Sequence, residues 1–173
     1  EQLTQLVVSN GFKSFRAKQL YSWLYKKHEN NPYKMENLSS KFQNYIHTRV
    51  LTKALEVNNI ISTECNKTNK FLLKTTDGNL IESVSIIDRN RHTVCISSQI
   101  GCNVDCDFCA TAKMGLIRNL EIAEIVEQLI LIKKQISKPI TNIVFMGMGE
   151  PFLNYNRVLQ AADIFHDPLA FNI

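Results

Sequence analysis

The stretch of sequence on which the fold assignment depends is Gly101-Cys102-Asn103-Val104-Asp105-Cys106-Asp107-Phe108-Cys109. Its cysteines are separated by three residues and then by two, within one polar loop. Thiolates at this spacing can converge on one iron–sulfur cluster, and a cubane cluster with three protein ligands keeps one iron free to bind a small molecule. The spacing therefore predicts a reactive cluster rather than an electron carrier, which usually has four protein ligands.

A zinc site is the alternative use of these thiols. A closed zinc site needs four ligands from Cys or His, and the nearest candidates for the fourth are Cys95 and, further back, His92. Neither gives the paired spacing of a zinc ribbon. The chain has five cysteines, and this odd number, with Cys65 far from the others, argues against a secreted disulfide framework. The spacing favours a cluster and leaves zinc open.

Composition and charge limit the class of protein. The chain has 173 residues, of which 45% are hydrophobic and 21% charged, as in globular proteins. It has no apolar run of membrane-spanning length and no signal-peptide pattern after Glu1, so we expect a trimmed or partial cytoplasmic protein outside the membrane. Residues 1–92 carry 14 Lys and Arg against 8 Asp and Glu, whereas residues 93–173 carry 6 against 8. The basic first half suggests RNA as a partner, although its positive residues are scattered.

The periodicity of apolar residues divides the chain into three regions. Residues 1–53 predict a small three-helix domain with a break at Asn30-Asn31-Pro32. Residues 54–92 change to a period of two and contain Asp77-Gly78, a strong hairpin-turn pattern. Residues 93–173 run strand, cysteine loop, helix, strand, loop, helix, and we expect Asn119 to cap the first of these helices. The predicted fold class is α+β followed by α/β.

The cysteine spacing, with an aromatic residue before the last cysteine, resembles the signature of the radical S-adenosylmethionine (SAM) superfamily. Further blocks resemble the ribosomal RNA adenine methyltransferases of the RlmN and Cfr family. These are residues 94–102, 115–120 and 124–126, the block 143–151 followed by Asn154 and Asn156, and, near the beginning of the chain, Phe12, residues 16–24 and 37–39. The resemblance covers nearly the whole chain. It implies a helical accessory domain, a β-rich connecting region and the first part of a partial (β/α) barrel.

The same resemblance implies roles for individual residues. Cys102, Cys106 and Cys109 would hold a [4Fe-4S] cluster, and Gly149 with Glu150 would contact the amino group and backbone of SAM. Glu82 matches the proposed general base, and burial inside its apolar strand would raise its pKa toward a useful range, although an outward-facing strand residue is the commoner explanation. Cys95 matches a cysteine that resolves a covalent RNA adduct, although a small buried strand residue is the simpler interpretation. Cys65 has no implied role and is expected to be structural.

The resemblance also implies a reaction and its partners. One SAM molecule methylates a late cysteine, and a second yields a radical that takes hydrogen from that methyl group. The resulting carbon radical adds to adenine, and a base then removes the ring proton. The stretch Ala110–Gly115 favours methylation at carbon 2, as in RlmN-type enzymes, over carbon 8, as in Cfr-type enzymes. The implied substrates are 23S ribosomal RNA and tRNA, with flavodoxin or ferredoxin as an external electron donor and a monomeric enzyme.

Two other interpretations of the function remain, and the end of the sequence gives a further expectation. One alternative is a different radical SAM enzyme that shares only the cysteine loop, and the other is a zinc-stabilised RNA-binding module without catalytic activity. No cysteine follows Cys109, and the sequence stops at Ile173 after the second predicted βα unit. We therefore expect this chain to be part of a longer enzyme and to be inactive alone, with an unpaired strand edge.

Overall fold

The computed structural model describes residues 2–50 and 52–173. These residues form two compact units. The first contains the described residues up to Lys53 together with residues 166–172, and the second contains residues 54–165 and Ile173. No helix in the described part of the chain is long and apolar enough to span a membrane.

The first unit is helical, as its apolar periodicity predicts. It contains α1 (Gln2–Ser9), α2 (Phe15–Tyr25), a 3-10 turn (Pro32–Lys34) and α3 (Ser40–Arg49). Gly11, with a φ of +80°, follows the end of α1, and its N–H donates to Val8 O. The core side chains of this unit are Val7, Ala17, Leu20, Met35, Leu38, Phe42 and Ile46. The stripes of apolar residues at helical spacing therefore form a core, as expected.

The second unit is built on a five-stranded mixed sheet. The strands before the cysteine loop are β1 (Leu55–Ser62), β2 (Thr68–Thr75), β3 (Leu80–Asp88) and β4 (Arg91–Cys95). After them come β5 (Gln99–Gly101), β6 (Leu116–Asn119), helix α4 (Ile122–Gln135), β7 (Asn142–Val144) and helix α5 (Tyr155–His166). The sheet order is β1-β2-β3-β4-β7, with only β4 and β7 parallel.

The core of the second unit lies between one face of the sheet and helix α4. Phe71, Leu73, Ile81 and Val94 on the strands, Ile96 just after β4, and Ile125, Leu129 and Ile132 on α4 are completely buried. Along β3, buried residues alternate with half-buried or exposed ones, so the other face is only partly covered. This alternation leaves one side of the sheet accessible.

Buried polar side chains of α4 complete the packing against the strands. The Gln128 side chain accepts from the Ser83 hydroxyl at 2.7 Å and from the Ser97 N–H at 2.8 Å, and it donates to the Ser97 carbonyl at 3.0 Å. The buried Glu127 carboxylate accepts from the N–H groups of Ala54 and Leu55, where β1 begins. These bonds replace water for groups that the core removes from solvent.

Three details differ from the sequence-based expectations. Asn119 does not cap α4, because the residue is the last of β6; the cap is Glu121, whose side chain forms a capping box with Glu124. The short antiparallel pair β5–β6 does not follow from the sequence pattern. The predicted boundary between residues 92 and 93 falls inside β4, and the sheet continues across it because β4 pairs with β3 and β7.

We predict that Glu127→Ala lowers the free energy of unfolding by about 3 kcal/mol, because it leaves two buried N–H donors without their acceptor. Urea denaturation followed by circular dichroism measures this change. Glu64→Ala, at an exposed turn residue, is the control and is expected to change stability by less than about 0.5 kcal/mol. A decrease below about 1 kcal/mol in Glu127→Ala would contradict the role assigned to this carboxylate.

Candidate active site

The two loops that carry the predicted site residues leave the sheet at the same edge. Because β4 and β7 are parallel and adjacent, their carboxyl ends lie side by side. The chain after β4 continues through β5 into the cysteine loop, and the chain after β7 continues into the loop Gly147–Pro151. Ligands of open α/β sheets bind at this edge of the strands.

The cysteine loop is closed at its base by a tight crossing of two chain segments. Gly101 has a φ of +75°, and a Cβ at this position would lie 1.8 Å from the carbonyl oxygen of Gly115. The N–H of Cys102 donates to that same oxygen at 3.1 Å. A side chain at position 101 would therefore open the base of the loop, which explains the glycine before the first cysteine.

The three cysteines of the loop follow one another closely along the chain, but their environments differ. Cys102 is buried at the base, whereas Cys106 and Cys109 are partly exposed and are joined by a bond from the Cys109 N–H to the Cys106 carbonyl at 3.0 Å. Among residues 2–50 and 52–173, no three side chains of His, Cys, Asp or Glu converge closely enough to hold a metal ion. The expected convergence of the three thiols stays a prediction.

The chemistry of the donor set fits a metal cluster. All three cysteines are free thiols, and the backbone N–H groups of Ala112 and Thr111 lower the pKa of Cys109. The thiolate is the form that binds iron, so these N–H donors favour the ligand state. The ring of Phe108, next to Cys109, is 93% exposed and therefore does not serve the packing of the second unit.

His92, a candidate zinc ligand from the sequence, has neither ring nitrogen free. Its Nε2 lies 2.8 Å from the Ser85 hydroxyl, and its Nδ1 lies 2.9 Å from the Lys138 carbonyl oxygen. The residue is completely buried between these partners. Its role is to connect β4 with β3 and the residues after α4, so it does not complete a zinc site.

The loop Gly147–Pro151 lies directly against the chain between β4 and β5. The Gly147 N–H donates to the Ile96 carbonyl at 3.1 Å. The Ser98 N–H donates to the Met148 carbonyl at 2.9 Å, and the Met148 N–H donates to the Ser97 hydroxyl at 2.8 Å. These bonds extend the β4–β7 pairing into the loop. The predicted cofactor residues are thus held next to the segment that leads into the cysteine loop.

Gly149 and Glu150 occupy the outer part of this loop. Gly149 has a φ of +94°, and a Cβ there would lie 2.4 Å from the Cβ of Gln99. Glu150 caps the following 3-10 turn, where its carboxylate accepts from the Phe152 N–H at 3.0 Å. The glycine thus permits close approach of the loop, and the carboxylate has a defined local partner.

Glu82 and Cys95 lie on the accessible face of the sheet. Cys95 pairs directly with Val84 across β3 and β4, so Glu82 is its diagonal neighbour on the same face. Such neighbours are separated by roughly 7–8 Å. The Glu82 side chain is 43% exposed and accepts from the Lys70 ammonium group at 2.9 Å. Its strand position faces away from α4, which agrees with the outward-facing explanation and not with burial.

The two cysteines outside the loop have opposite thiol chemistry. Burial raises the pKa of Cys95 above its ordinary value. Cys65 is exposed at the turn between β1 and β2, where the Lys67 N–H and, more weakly, the Thr63 hydroxyl lower its pKa. The exposed position of Cys65 differs from the structural role expected for it, because the residue contributes nothing to the core.

Buried polar residues connect the two loops in a way that sequence analysis does not predict. The buried Asn154 side chain donates to the carbonyl oxygens of Ser98 and Leu120, and the buried Gln99 contacts both Glu150 and Asn119. A signal is present in the sequence, because residues 97–99 form a polar run between two isoleucines. Polar residues enclosed by apolar ones indicate a buried hydrogen-bond network.

Two known protein families match separate parts of this chain. Residues 1–51 match the family described as the ribosomal RNA large subunit methyltransferase N-terminal domain, and residues 96–167 match the radical SAM superfamily. A crystal structure of a radical SAM methyltransferase from Sphaerobacter thermophilus superimposes with a TM-score of 0.92 and 35% identity, over 99% of this chain and 51% of that one. The predicted fold class is confirmed, and the matches assign residues 96–167 to a radical SAM domain.

Relatives at the level of sequence share one name. The chain is 41% identical, over all of its 173 residues, to a probable dual-specificity RNA methyltransferase RlmN from Fervidobacterium nodosum, and covers 50% of it. It is 40% identical to the dual-specificity RNA methyltransferase RlmN of Geotalea uraniireducens, over 99% of this chain and 49% of the relative. The chain is similar over its whole length to these RlmN-type RNA methyltransferases, and it spans about half the length of the curated relatives it matches.

We predict that iodoacetamide modifies Cys65 at lower pH than Cys95 in protein free of iron. The alkylation rate follows the fraction of each cysteine that is thiolate. Because its pKa is lowered, Cys65 deprotonates at a lower pH than Cys95, whose pKa is raised. Mass spectrometry of peptides labelled between about pH 6 and about pH 10, on either side of the ordinary thiol pKa, measures both rates. Cys65→Ser is the control that removes the early modification, and equal pH profiles for the two thiols would contradict the assignment.

Proposed function

We propose that this chain is part of a radical SAM methyltransferase that modifies carbon 2 of an adenine in 23S ribosomal RNA and in tRNA. The observation that carries the proposal is the position of the cysteine loop beside the loop Gly147–Pro151 at one edge of the sheet, in a chain homologous to RlmN enzymes over its whole length. The names of the relatives describe dual-specificity RNA methyltransferases, which supports two RNA substrates.

In this proposal Cys102, Cys106 and Cys109 hold a [4Fe-4S] cluster, and Gly149 with Glu150 binds the amino group and backbone of SAM. Such a cluster, once reduced by an external donor, would supply the one-electron chemistry that generates a radical from SAM. The close crossing of residues 101 and 115 fixes the base of the cysteine loop, and the bonds from residues 96–99 fix the loop that binds SAM. The chain thereby holds two binding loops at a constant separation, which radical transfer requires.

Glu82 is proposed as the base that removes the proton from the modified ring carbon, and Cys95 as the thiol that resolves the covalent RNA adduct. Support comes from their common position on the accessible face of the sheet, near the carboxyl end of β4. The ion pair of Glu82 with Lys70 is partly exposed on both sides, so it contributes little stability and can open for a substrate.

The first unit supports an RNA partner through its charge. Residues 1–53 carry nine Lys and Arg against three Asp and Glu, which accounts for the whole positive excess of the first half of the chain. All seven lysines of residues 1–53 are exposed: Lys13, Lys18, Lys26, Lys27, Lys34, Lys41 and Lys53. Lysines that neutralise phosphates supply binding energy that depends on salt and not on sequence.

We prefer carbon 2 over carbon 8 because the relatives found over the whole chain carry the RlmN name. Product analysis decides the point. Nuclease digestion of 23S ribosomal RNA treated with the full-length enzyme, followed by liquid chromatography and mass spectrometry, should yield 2-methyladenosine. Formation of 8-methyladenosine would instead support the Cfr-type alternative.

We predict that anaerobic reconstitution with iron and sulfide loads about four irons per chain, with a broad absorption near ~400 nm typical of thiolate-bound cubane clusters. Cys106→Ala should abolish this absorption, because it removes one of three ligands. Iron and sulfide assays together with the visible spectrum give the result.

Cys65→Ala is the matched control for this experiment, since Cys65 lies on the turn between β1 and β2 and its replacement should leave the cluster intact. Stoichiometric binding of zinc without any uptake of iron would refute the cluster and support the zinc-stabilised RNA-binding module.

We predict that the double variant Lys13→Glu, Lys18→Glu weakens binding to a fragment of 23S ribosomal RNA. It should also reduce the slope of log K against log salt by about 0.7 for each phosphate that the protein no longer neutralises. Fluorescence anisotropy at several salt concentrations measures both quantities. Lys67→Glu with Lys74→Glu, two exposed lysines of the second unit, is the control of equal charge change. Equal effects of the two pairs would show that the first unit has no special part in RNA binding.

A further inference from the structure

Gln99 lies at the point where the two binding loops meet. It is the first residue of β5, it is completely buried, and Cys102 follows three positions later. Its N–H donates to the Met148 carbonyl at 3.2 Å, so its backbone belongs to the pairing that holds the loop Gly147–Pro151. A buried amide side chain at this position must also find partners for its own polar atoms.

The side chain of Gln99 bridges two different elements. Its Oε1 accepts from the backbone N–H of Glu150 at 2.8 Å, and its Nε2 donates to Asn119 Oδ1 at 2.7 Å. Asn119 is also the ladder partner of Gln99 in the β5–β6 pair, and its own amide donates to the Leu153 carbonyl at 3.3 Å. One side chain thus connects the outer part of the loop Gly147–Pro151 with the strand that closes the cysteine loop.

The contact with Gly149 makes the connection tight. The position that a Cβ of Gly149 would take lies 2.4 Å from Gln99 Cβ, 2.7 Å from Gln99 Cγ and 2.8 Å from Gln99 N. The loop backbone therefore rests directly on the first carbons of the Gln99 side chain. The aliphatic part of Gln99 determines how closely the loop approaches β5, and its amide oxygen fixes the position of the Glu150 backbone N–H.

The hydrogen bonds along the loop show why a side chain is needed here. Residues 96–99 hold the loop at Gly147 and Met148, and the N–H of Glu150, two residues further on, is bonded to the Gln99 side chain. The Gln99 amide thus adds one further bond beyond those made by residues 96–99 to Gly147 and Met148, at the residue where β5 begins. Glu150 is the residue whose carboxylate is proposed to contact SAM, so this last bond fixes the orientation of a ligand-binding residue.

We propose that Gln99 is a positioning residue that fixes Glu150 relative to the cysteine loop and thereby sets the affinity for SAM. The proposal rests on the function proposed above. Gln99 does not touch the cofactor; it acts through the Glu150 N–H and through Asn119. The removal of its amide leaves the Glu150 N–H without its acceptor and frees the outer part of the loop.

The test compares Gln99→Met with Gln99→Glu in the full-length enzyme. Methionine keeps the carbons that Gly149 packs against but removes both hydrogen bonds, whereas glutamate keeps an acceptor for the Glu150 N–H. In the protein without cofactor, we expect hydrogen exchange at the Glu150 amide to become about tenfold faster in Gln99→Met and to stay closer to wild type in Gln99→Glu. In the reconstituted protein, we expect Gln99→Met to weaken SAM binding about tenfold, as measured by equilibrium dialysis, with unchanged iron content.

A double-mutant cycle with Glu150→Ala separates positioning from general destabilisation. If Gln99 acts through Glu150, Gln99→Met causes no further decrease of SAM affinity in the Glu150→Ala background. A decrease of the same size in both backgrounds, or unchanged exchange at the Glu150 amide, would overturn the proposal. Gln135→Met, at an exposed glutamine of α4, is the matched control and should change neither quantity.

The outcomes distinguish the role of Gln99 from the proposed function. Wild-type protein that takes up neither iron nor SAM would refute the function. Wild-type protein that binds both, with a Gln99→Met variant of equal SAM affinity, would refute only the role of Gln99. The exchange measurement needs no cofactor and decides whether the bond to Glu150 holds the loop in either case.

Discussion

The parallel pairing of β4 with β7 is the interaction on which the rest of the second unit depends. It brings the carboxyl ends of two strands to one edge, although the cysteine loop and helix α4 lie between them along the chain. The pairing continues as bonds between residues 96–99 and the loop Gly147–Pro151. Both predicted binding loops therefore take their positions from one register, and a shift of that register would separate them.

Helix α4 supports this register in two ways. It covers one face of the sheet, and its side chains form hydrogen bonds with backbone groups that the strand pairing leaves without a partner. Gln128 bonds both the N–H and the carbonyl of Ser97, the residue whose hydroxyl accepts from the Met148 N–H. A polar side chain in the core thus supports the loop through one intermediate residue. Burial of such groups is costly unless they are bonded, which accounts for the dense network at this edge, where the buried Ser98 hydroxyl alone of residues 97–99 has no partner.

Much of the fold could be predicted because its strongest determinants are local. The turn at Asp77-Gly78, the end of α1 before Gly11 and the apolar stripe of α4 each follow from a few neighbouring residues, and the structure confirms them. The short strand pair β5–β6 could not be predicted, because its few residues pair across the whole cysteine loop. Asn119 illustrates the consequence, since a residue suited to cap a helix is used in that ladder.

The candidate site was predictable to the same extent. The cysteine spacing and the block around Gly149 stand out in the sequence, because their chemistry needs particular residues at particular intervals. The bonds of Gln99 do not stand out, because they join segments 51 positions apart, from Gln99 to Glu150. The half-exposed position of Glu82 also required the sheet, since only the packing of α4 shows which face of β3 is covered.

The tight crossing of Gly101 and Gly115 separates what can vary in the cysteine loop from what cannot. A loop closed at its base by two glycines behaves as an independent ring whose closure entropy changes only slowly with its length. Added residues between Cys109 and Gly115 would alter the circumference of that ring without displacing β5 or β6, whereas a single methyl group at position 101 would force the two segments apart. The segment after Cys109 is thereby limited less by its length than by one carbon atom at position 101, whereas the intervals between the three cysteines stay fixed by their chemistry.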